Sequence, residues 1–237
     1  MRLTQTQLQR QMEIFTRNGL TAEAQAVIAS VGYTPAELTN GSTLLQTWIT
    51  ARAETKVQRA AQKQATNLEE AAHKEANQEA INFAGTVRTF YTNDEVVLTA
   101  LGLQTQYETV IDPETGEPVQ QAVRPPMDTA SLISRWTLMF TNAGTLDQAV
   151  QDTLAAAGWD NTRIAAALAL VQAYAAADTA QQQAIQAYQA QSATAKSAQD
   201  ATATWYRQAA RLCKLAIQRA DPPNAAQLRE LLGFDPQ

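Results

Sequence analysis

The two halves of the chain contain the same helix-ending signals in the same order. Residues 28–38 read IASVGYTPAEL and residues 154–164 read LAAAGWDNTRI. Glycine commonly ends a helix because it adopts the left-handed conformation without a steric clash, and the residue after it packs back on the last turn. Gly32-Tyr33 and Gly158-Trp159 are therefore predicted to end two equivalent helices.

The helices that follow are predicted from capping residues. Thr34 is expected to cap the first of them, with Glu37 closing a capping box, and Asp160 is expected to cap its counterpart. Asn93 and Asn224 are candidate caps of a later helix in each copy.

Further matches follow in the same order along both halves. Their separation grows from 125 to 131 residues, and the last match, at Gly102 and Gly233, is a second Gly-apolar ending. Matched positions include Phe15 with Phe140, Gln25 with Gln151, Trp48 with Tyr174, and Arg88 with Arg219. We interpret the chain as a tandem duplication, with a first helical-bundle repeat at 1–103 and a second at 128–237.

Each repeat is predicted to be an all-α bundle of about four to five helices that closes a core of its own. The chain is rich in Ala and Gln, which favour helix, and has only 9 glycines and 8 prolines in 237 residues. The segments 35–90 and 161–220 contain no internal proline. We expect each to fold back as a hairpin of two helices, with turns near 63–67 and 187–195, because a hairpin buries its apolar stripe.

The connector at 104–127 contains the turn signal Asp112-Pro113-Glu114-Thr115-Gly116, flanked by β-permissive residues. A short β-hairpin and an irregular ordered loop both remain open for this segment.

Charge and composition exclude several function classes. The formal net charge is −5 and the pI is about 5.0, which argues against a nucleic-acid-binding domain. No apolar stretch approaches the roughly 20 residues that a transmembrane helix needs, and the N-terminus lacks the apolar region of a signal peptide. The expected location is therefore the cytoplasm, and the single cysteine, Cys213, is expected in the core.

One pair of residues has metal-ligand spacing. Glu70 and His73 lie three residues apart and would share a helix face, as ligands do in ferritin-like bundles. A di-iron site needs a second such motif, and the matching part of the other repeat has no histidine. A solvated polar face is the simpler interpretation, and no cofactor is predicted.

Two basic stripes are the other candidates. Arg52, Lys56, Arg59 and Lys63 form one, while Arg207, Arg211 and Lys214 form the second. Either could bind an anionic partner or a membrane surface, but a charged outer face is the simpler interpretation, and nearby glutamates such as Glu54 could neutralise the first stripe.

Catalysis has little to build on, because His73 is the only histidine and no glycine-rich phosphate loop is present. The sequence therefore predicts a non-enzymatic structural or interaction module that binds a protein partner or a second copy of itself. A metal-binding bundle and an anionic-surface binder are the alternatives.

Overall fold

The computed structural model describes residues 4–123 and 125–234, and it is mostly helical, with 77% of the chain in helix. The described residues also form a small two-stranded antiparallel sheet and a short 3-10 helix, Ala29–Val31. The helices are α1 Gln5–Asn18, α2 Ala22–Ile28, α3 Pro35–Phe90, α4 Glu95–Ala100, α5 Thr129–Ala143, α6 Gln148–Ala156, α7 Asn161–Ala220 and α8 Ala225–Leu231, and the strands are β1 Tyr107–Ile111 and β2 Pro118–Ala122. Among these described residues, no helix has an apolar stretch that could cross a bilayer.

Four helix ends have the backbone that the sequence predicts. Gly32, Gly102, Gly158 and Gly233 have φ angles of 91°, 65°, 85° and 72°. After each, the next residue donates its N–H to a carbonyl five positions earlier, as Trp159 does to Leu154 at 2.8 Å. The glycine itself donates to the carbonyl three positions earlier. These paired bonds satisfy carbonyls that the helix end would otherwise leave without a partner.

The helix starts agree with the sequence only in part. Asp160 Oδ1 accepts from the N–H of Arg163 at 2.8 Å, as predicted for a capping residue. Asn93 was expected to cap α4, but the cap is Asp94, whose carboxylate reaches two N–H groups of the first turn. Glu37 does not close a capping box; its carboxylate instead accepts from the indole N–H of Trp205 at 2.6 Å.

The predicted hairpins within the long segments are wrong. Helix α3 runs unbroken for 56 residues and α7 for 60 residues. Their middle parts consist largely of good helix formers, and no glycine or proline marks a turn near 63–67 or 187–195. Burial of their apolar stripes requires no such turn, because each stripe packs against segments from the other half of the chain.

The chain divides into two compact units. Unit 1 comprises Met1–Ala61 with Gln186–Gln237, and unit 2 comprises Gln62–Ile185. The expectation that each repeat closes its own core is wrong, because each unit takes residues from both 1–103 and 128–237.

The core of unit 1 joins buried residues of 8–48 to those of 206–234. Phe15, which is fully buried, lies at its centre. Its ring centroid is 6.0 Å from that of Tyr33, 6.2 Å from Tyr206 and 5.5 Å from Phe234. Such edge-on and tilted aromatic pairs add to the free energy of burial. The early and late parts of the chain therefore stabilise one shared interior.

The core of unit 2 joins residues 76–101 to residues 132–174. Phe83 packs against Phe140 and Trp159, with ring centroids 5.3 and 4.9 Å away. The indole N–H of Trp159 donates to Thr86 Oγ1 at 3.1 Å, so its polar atom is satisfied within the core.

Strands β1 and β2 confirm the hairpin alternative for the connector. They pair antiparallel from Tyr107 opposite Ala122 to Ile111 opposite Pro118. At the turn, the N–H of Asp112 donates to Glu117 and the N–H of Gly116 donates back to Asp112, at 2.9 and 2.8 Å.

Candidate anion-binding groove

A concave groove of about 360 Å³ lies in unit 1 between the first part of α3 and the last part of α7. Helix α3 contributes Arg52, Lys56 and Arg59, and α7 contributes Tyr188 and Lys196. Four of these five side chains are cations. Three of the four residues of the first predicted basic stripe are thus brought to one cavity, whereas Lys63 does not line it.

Helix geometry explains why these residues converge. Positions four and seven apart lie on the same face of a helix, so 52, 56 and 59 form one row on α3. Positions 188, 192, 196 and 199 form the matching row on α7, and all four line the groove. The amide Nε2 of Gln5, at the start of α1, donates to Gln199 Oε1 at 3.0 Å and closes one end.

No carboxylate lines this groove among the described residues. Among the described residues, the ion pairs are Arg163 with Glu79 and Lys196 with Asp200. The groove cations of α3, which are Arg52, Lys56 and Arg59, therefore have no described carboxylate within 4.0 Å. The Lys196–Asp200 pair joins side chains that are 75% and 62% exposed, and exposed pairs of this kind interact weakly. The groove therefore holds a local excess of positive charge on a chain whose net charge is −5.

The nearest predicted neutralising residue is turned elsewhere. Glu54 Oε2 accepts from Gln191 Nε2 at 2.9 Å, and the same amide group donates to the carbonyl of Ala51 at 3.2 Å. Glu54 lines a different cavity, together with Thr47 and Thr194. Among the described residues, Glu54 therefore forms no ion pair with the basic stripe.

The second basic stripe does not form a comparable site. Arg207 and Arg211 are exposed, and Arg207 Nε donates to the carbonyl of Ala203 within its own helix at 3.0 Å. Lys214 Nζ donates to the carbonyl of Phe234 at 3.1 Å and lies 5.5 Å from the centre of that ring. This stripe consists of a solvated face and one lysine that secures the end of the chain.

The candidate metal residues lie apart from the groove, in unit 2. The His73 ring is half-buried and stacks on Trp136 at a centroid distance of 5.9 Å, with Tyr174 at 5.1 Å, while Glu70 is exposed. Within residues 4–123 and 125–234, no group of three or more His, Cys, Asp or Glu side chains could hold a metal ion. The structure thus places His73 on aromatic rings rather than in a ligand set.

Burial changes the acidity of two groups in these regions. The pKa of Tyr174 is raised, first by burial and then by the nearby carboxylates of Glu69 and Asp178. The Cys213 side chain is fully buried, and burial raises the pKa of its thiol to about 12. Cys213 is therefore the core residue that the sequence predicts, and its reactive thiolate form is strongly disfavoured.

Sequence analysis missed the α7 wall of the groove. Lys196, Tyr188 and Gln199 have helical spacing, but they stand in an Ala- and Gln-rich stretch where only one positive charge occurs. These residues share one face of α7, but that face can be related to the basic row of α3 only when the register of the two helices is known.

Comparisons with protein-family models, with curated proteins and with solved structures find no match.

Proposed function

We propose that the protein is a non-enzymatic interaction module whose groove in unit 1 binds acidic side chains of a protein partner. One observation carries this proposal: Arg52, Lys56, Arg59 and Lys196 line one cavity that has no described carboxylate. Charge-assisted hydrogen bonds from arginine and lysine to carboxylates are shorter and stronger than neutral ones. A glutamate or aspartate side chain entering the groove would supply the negative charge that Arg52, Lys56 and Arg59 lack within 4.0 Å among the described residues.

The shape of the site favours a protein segment over a membrane surface. A concave cavity of about 360 Å³ is at the lower end of the range for small-ligand pockets, and it admits a few side chains but not a flat bilayer. The phenol of Tyr188 and the amide of Gln199 add polar groups that can orient such a segment.

Two features support a non-enzymatic role. The thiol of Cys213 is buried in the core of unit 1 with its pKa raised to about 12, so it is a poor nucleophile. The His73 ring packs on the rings of Trp136 and Tyr174, as a structural side chain of the unit 2 core does.

We also infer that the module arose by duplication of one four-helix segment. Helices α1 to α4 have 14, 7, 56 and 6 residues, and α5 to α8 have 15, 9, 60 and 7. A similar tertiary contact is present in both units: Asn18 Nδ2 donates to Leu231 O at 2.7 Å in unit 1, and Asn142 Nδ2, one residue before the position matched to Asn18, donates to Ala100 O at 2.6 Å in unit 2. The repeated lengths and contact support a common origin for 1–103 and 128–237.

The basic row is not conserved between the proposed copies. The matched positions of Arg52, Lys56 and Arg59, each 126 residues later, are Asp178, Gln182 and Ile185. If the segments share an ancestor, the positive groove belongs to unit 1 alone. This difference supports a specialised role for that surface rather than a general requirement of the fold.

The test is binding of a fluorescein-labelled oligoglutamate peptide, followed by fluorescence anisotropy at low salt. The variant Arg52→Gln/Arg59→Gln should weaken binding by at least about tenfold, since each charge-assisted hydrogen bond contributes about 1.5–3 kcal/mol and 1.4 kcal/mol is a factor of ten. The control Arg207→Gln/Arg211→Gln removes the same charge from the second stripe and should bind within about twofold of the unchanged protein.

Two results would contradict the proposal. Equal weakening in both variants would mean that the peptide responds to overall charge rather than to the groove. Absence of peptide binding, with cosedimentation of the protein on phosphatidylserine vesicles, would favour the membrane-surface alternative instead.

A further inference from the structure

We propose that the occupant of the groove is the β1–β2 hairpin of a second copy of this chain. This inference rests on the proposed function of the groove and names its partner. It would make the protein a self-associating module, in which one surface of each copy receives a different surface of the next.

Charge complementarity is the first argument. Residues 107–122 contain four acidic side chains, Glu108, Asp112, Glu114 and Glu117, and no lysine or arginine. The hairpin therefore carries a formal charge of −4, and the cations that line the groove number four. Complementary surfaces of this kind steer association and fix its orientation.

The geometry of the hairpin tip is the second argument. Asp112 Oδ1 accepts from the N–H groups of Glu114 and Thr115 at 2.8 and 3.4 Å, so this carboxylate is used to hold the turn. Glu114 and Glu117 are exposed at the same turn. The turn is thus ordered by its own hydrogen bonds while it presents two free carboxylates, which lowers the entropy lost on binding.

The exposure of the strands is the third argument. Every residue of β1 and β2 is exposed except Val110, and a two-stranded hairpin alone is marginally stable in water. Tyr107 and Ile111 share one face of β1 and are 63% and 65% exposed. A partner that covers this face would stabilise the hairpin and bury apolar area beside the ionic contacts.

The proposed contact has a consequence for assembly. Because groove and hairpin are different surfaces, the interface is heterologous, and repeated contacts give a ring or an open chain of copies rather than a closed two-fold dimer. Because the contact is largely ionic, it should weaken as the Debye length falls from about 30 Å at 0.01 M salt to about 8 Å at 0.15 M salt.

The experiment follows association of the full chain by sedimentation velocity at these two salt concentrations, with two variants that each lack one side of the contact. Glu114→Gln/Glu117→Gln keeps the groove, and Arg52→Gln/Arg59→Gln keeps the hairpin. Each alone should remain monomeric under conditions in which the unchanged protein associates. Mixed together they should form a 1:1 dimer and stop there, because only one complementary pair of surfaces is present.

Circular dichroism establishes that the variants are folded, and Arg207→Gln/Arg211→Gln serves as the charge-matched control that should associate as the unchanged protein does. A monomeric unchanged protein, or association that ignores salt and both variants, would overturn the inference. If the oligoglutamate peptide still binds the groove in that case, the proposed function stands and only the identity of the partner is wrong. If the peptide does not bind either, both proposals fail.

Discussion

Alanine substitutions at Gly41 and Gly85 should change stability in opposite directions, although both glycines lie inside α3. Glycine weakens a helix interior by about 0.5–1 kcal/mol relative to alanine. A Cβ atom added at Gly85 would meet nothing within 4 Å, and the position is exposed. Gly85→Ala should therefore stabilise the protein by about 0.5–1 kcal/mol, close to the full helix-propensity difference.

At Gly41 the same added atom has no room. It would lie 2.2 Å from Trp205 Cη2 and 2.5 Å from Cζ2 of the same ring. The ring cannot move freely, because its N–H donates to Glu37 at 2.6 Å and it packs edge-on against Phe15 and Tyr33 at centroid distances of 5.8 and 5.7 Å. Overpacking of this kind costs about 1–3 kcal/mol, and loss of the hydrogen bond to the carboxylate costs about 1.5–3 kcal/mol. The two costs together exceed the gain in propensity of about 0.5–1 kcal/mol, so Gly41→Ala should destabilise by about 1.5–5.5 kcal/mol.

Urea unfolding monitored by circular dichroism measures both changes. The variant Trp205→Leu provides the control background, because removal of the ring should abolish the cost of Gly41→Ala and reveal the gain in propensity. A stabilising Gly41→Ala in the presence of Trp205, equal to that of Gly85→Ala, would refute the reasoning.

Three further predictions concern a helix end, the loss of stability at alkaline pH and a buried hydroxyl. Gly158→Ala should destabilise by about 1–2 kcal/mol in urea titration, because an L-residue in the left-handed conformation is strained by about that amount; an unchanged midpoint would contradict the observed φ of 85°. Burial raises the pKa of Cys213, Tyr33 and Tyr206 to about 12. Unfolded cysteine and tyrosine titrate near about 8.5 and about 10, so the folded state binds more protons and the melting temperature should fall as pH rises from about 9 towards 12. Thr202→Val should cost about 1 kcal/mol in the same urea titration, because the Thr202 side chain is fully buried and its one hydroxyl proton is within hydrogen-bond distance of two main-chain carbonyls, those of Ala198 and Leu44. A neutral result would show that those carbonyls need no such donor.

The local features of this fold could be predicted from the sequence because their causes are local. A left-handed helix end favours a residue without a Cβ, so Gly32 and Gly158 identify it directly, whereas Asp221, with φ 41° after α7, carries no such signal. The hairpin turn at 112–117 depends on the side chain and backbone of neighbouring residues for the same reason. Asn93 shows the limit of this accuracy, since the cap lies one residue later at Asp94.

The pairing of the long segments could not be predicted, because hydrophobic periodicity shows that a helix has an apolar stripe but not which other helix covers it. A stripe at 35–90 is satisfied equally by a second helix of its own segment and by α7. Pairing within each segment would require turns near 63–67 and 187–195, where α3 and α7 continue as helix. The hydrogen bond from Thr202 to the carbonyl of Leu44, 158 residues away, shows that α3 instead packs against α7.

The candidate site lies between these two cases. The row of Arg52, Lys56 and Arg59 is visible in the sequence from helical spacing alone. The direction of the Glu54 carboxylate cannot be read from helical spacing, because it depends on one rotamer and on a single amide donor, Gln191. The contribution of Lys196 depends on the register of two helices that are distant in sequence.

The shared interior of unit 1 fixes the order in which the protein can mature on the ribosome. Phe15 is synthesised 202 positions before Ile217, which belongs to the same buried cluster. At about 5–20 residues per second, about 10–40 seconds pass before the late partners of that phenylalanine, Tyr206 and Phe234, emerge. Unit 2 is a single uninterrupted stretch and can close first. A premature stop codon before the late part of unit 1 would therefore leave apolar side chains of its early part, such as Phe15, exposed to water. Such products are substrates for chaperones and proteases.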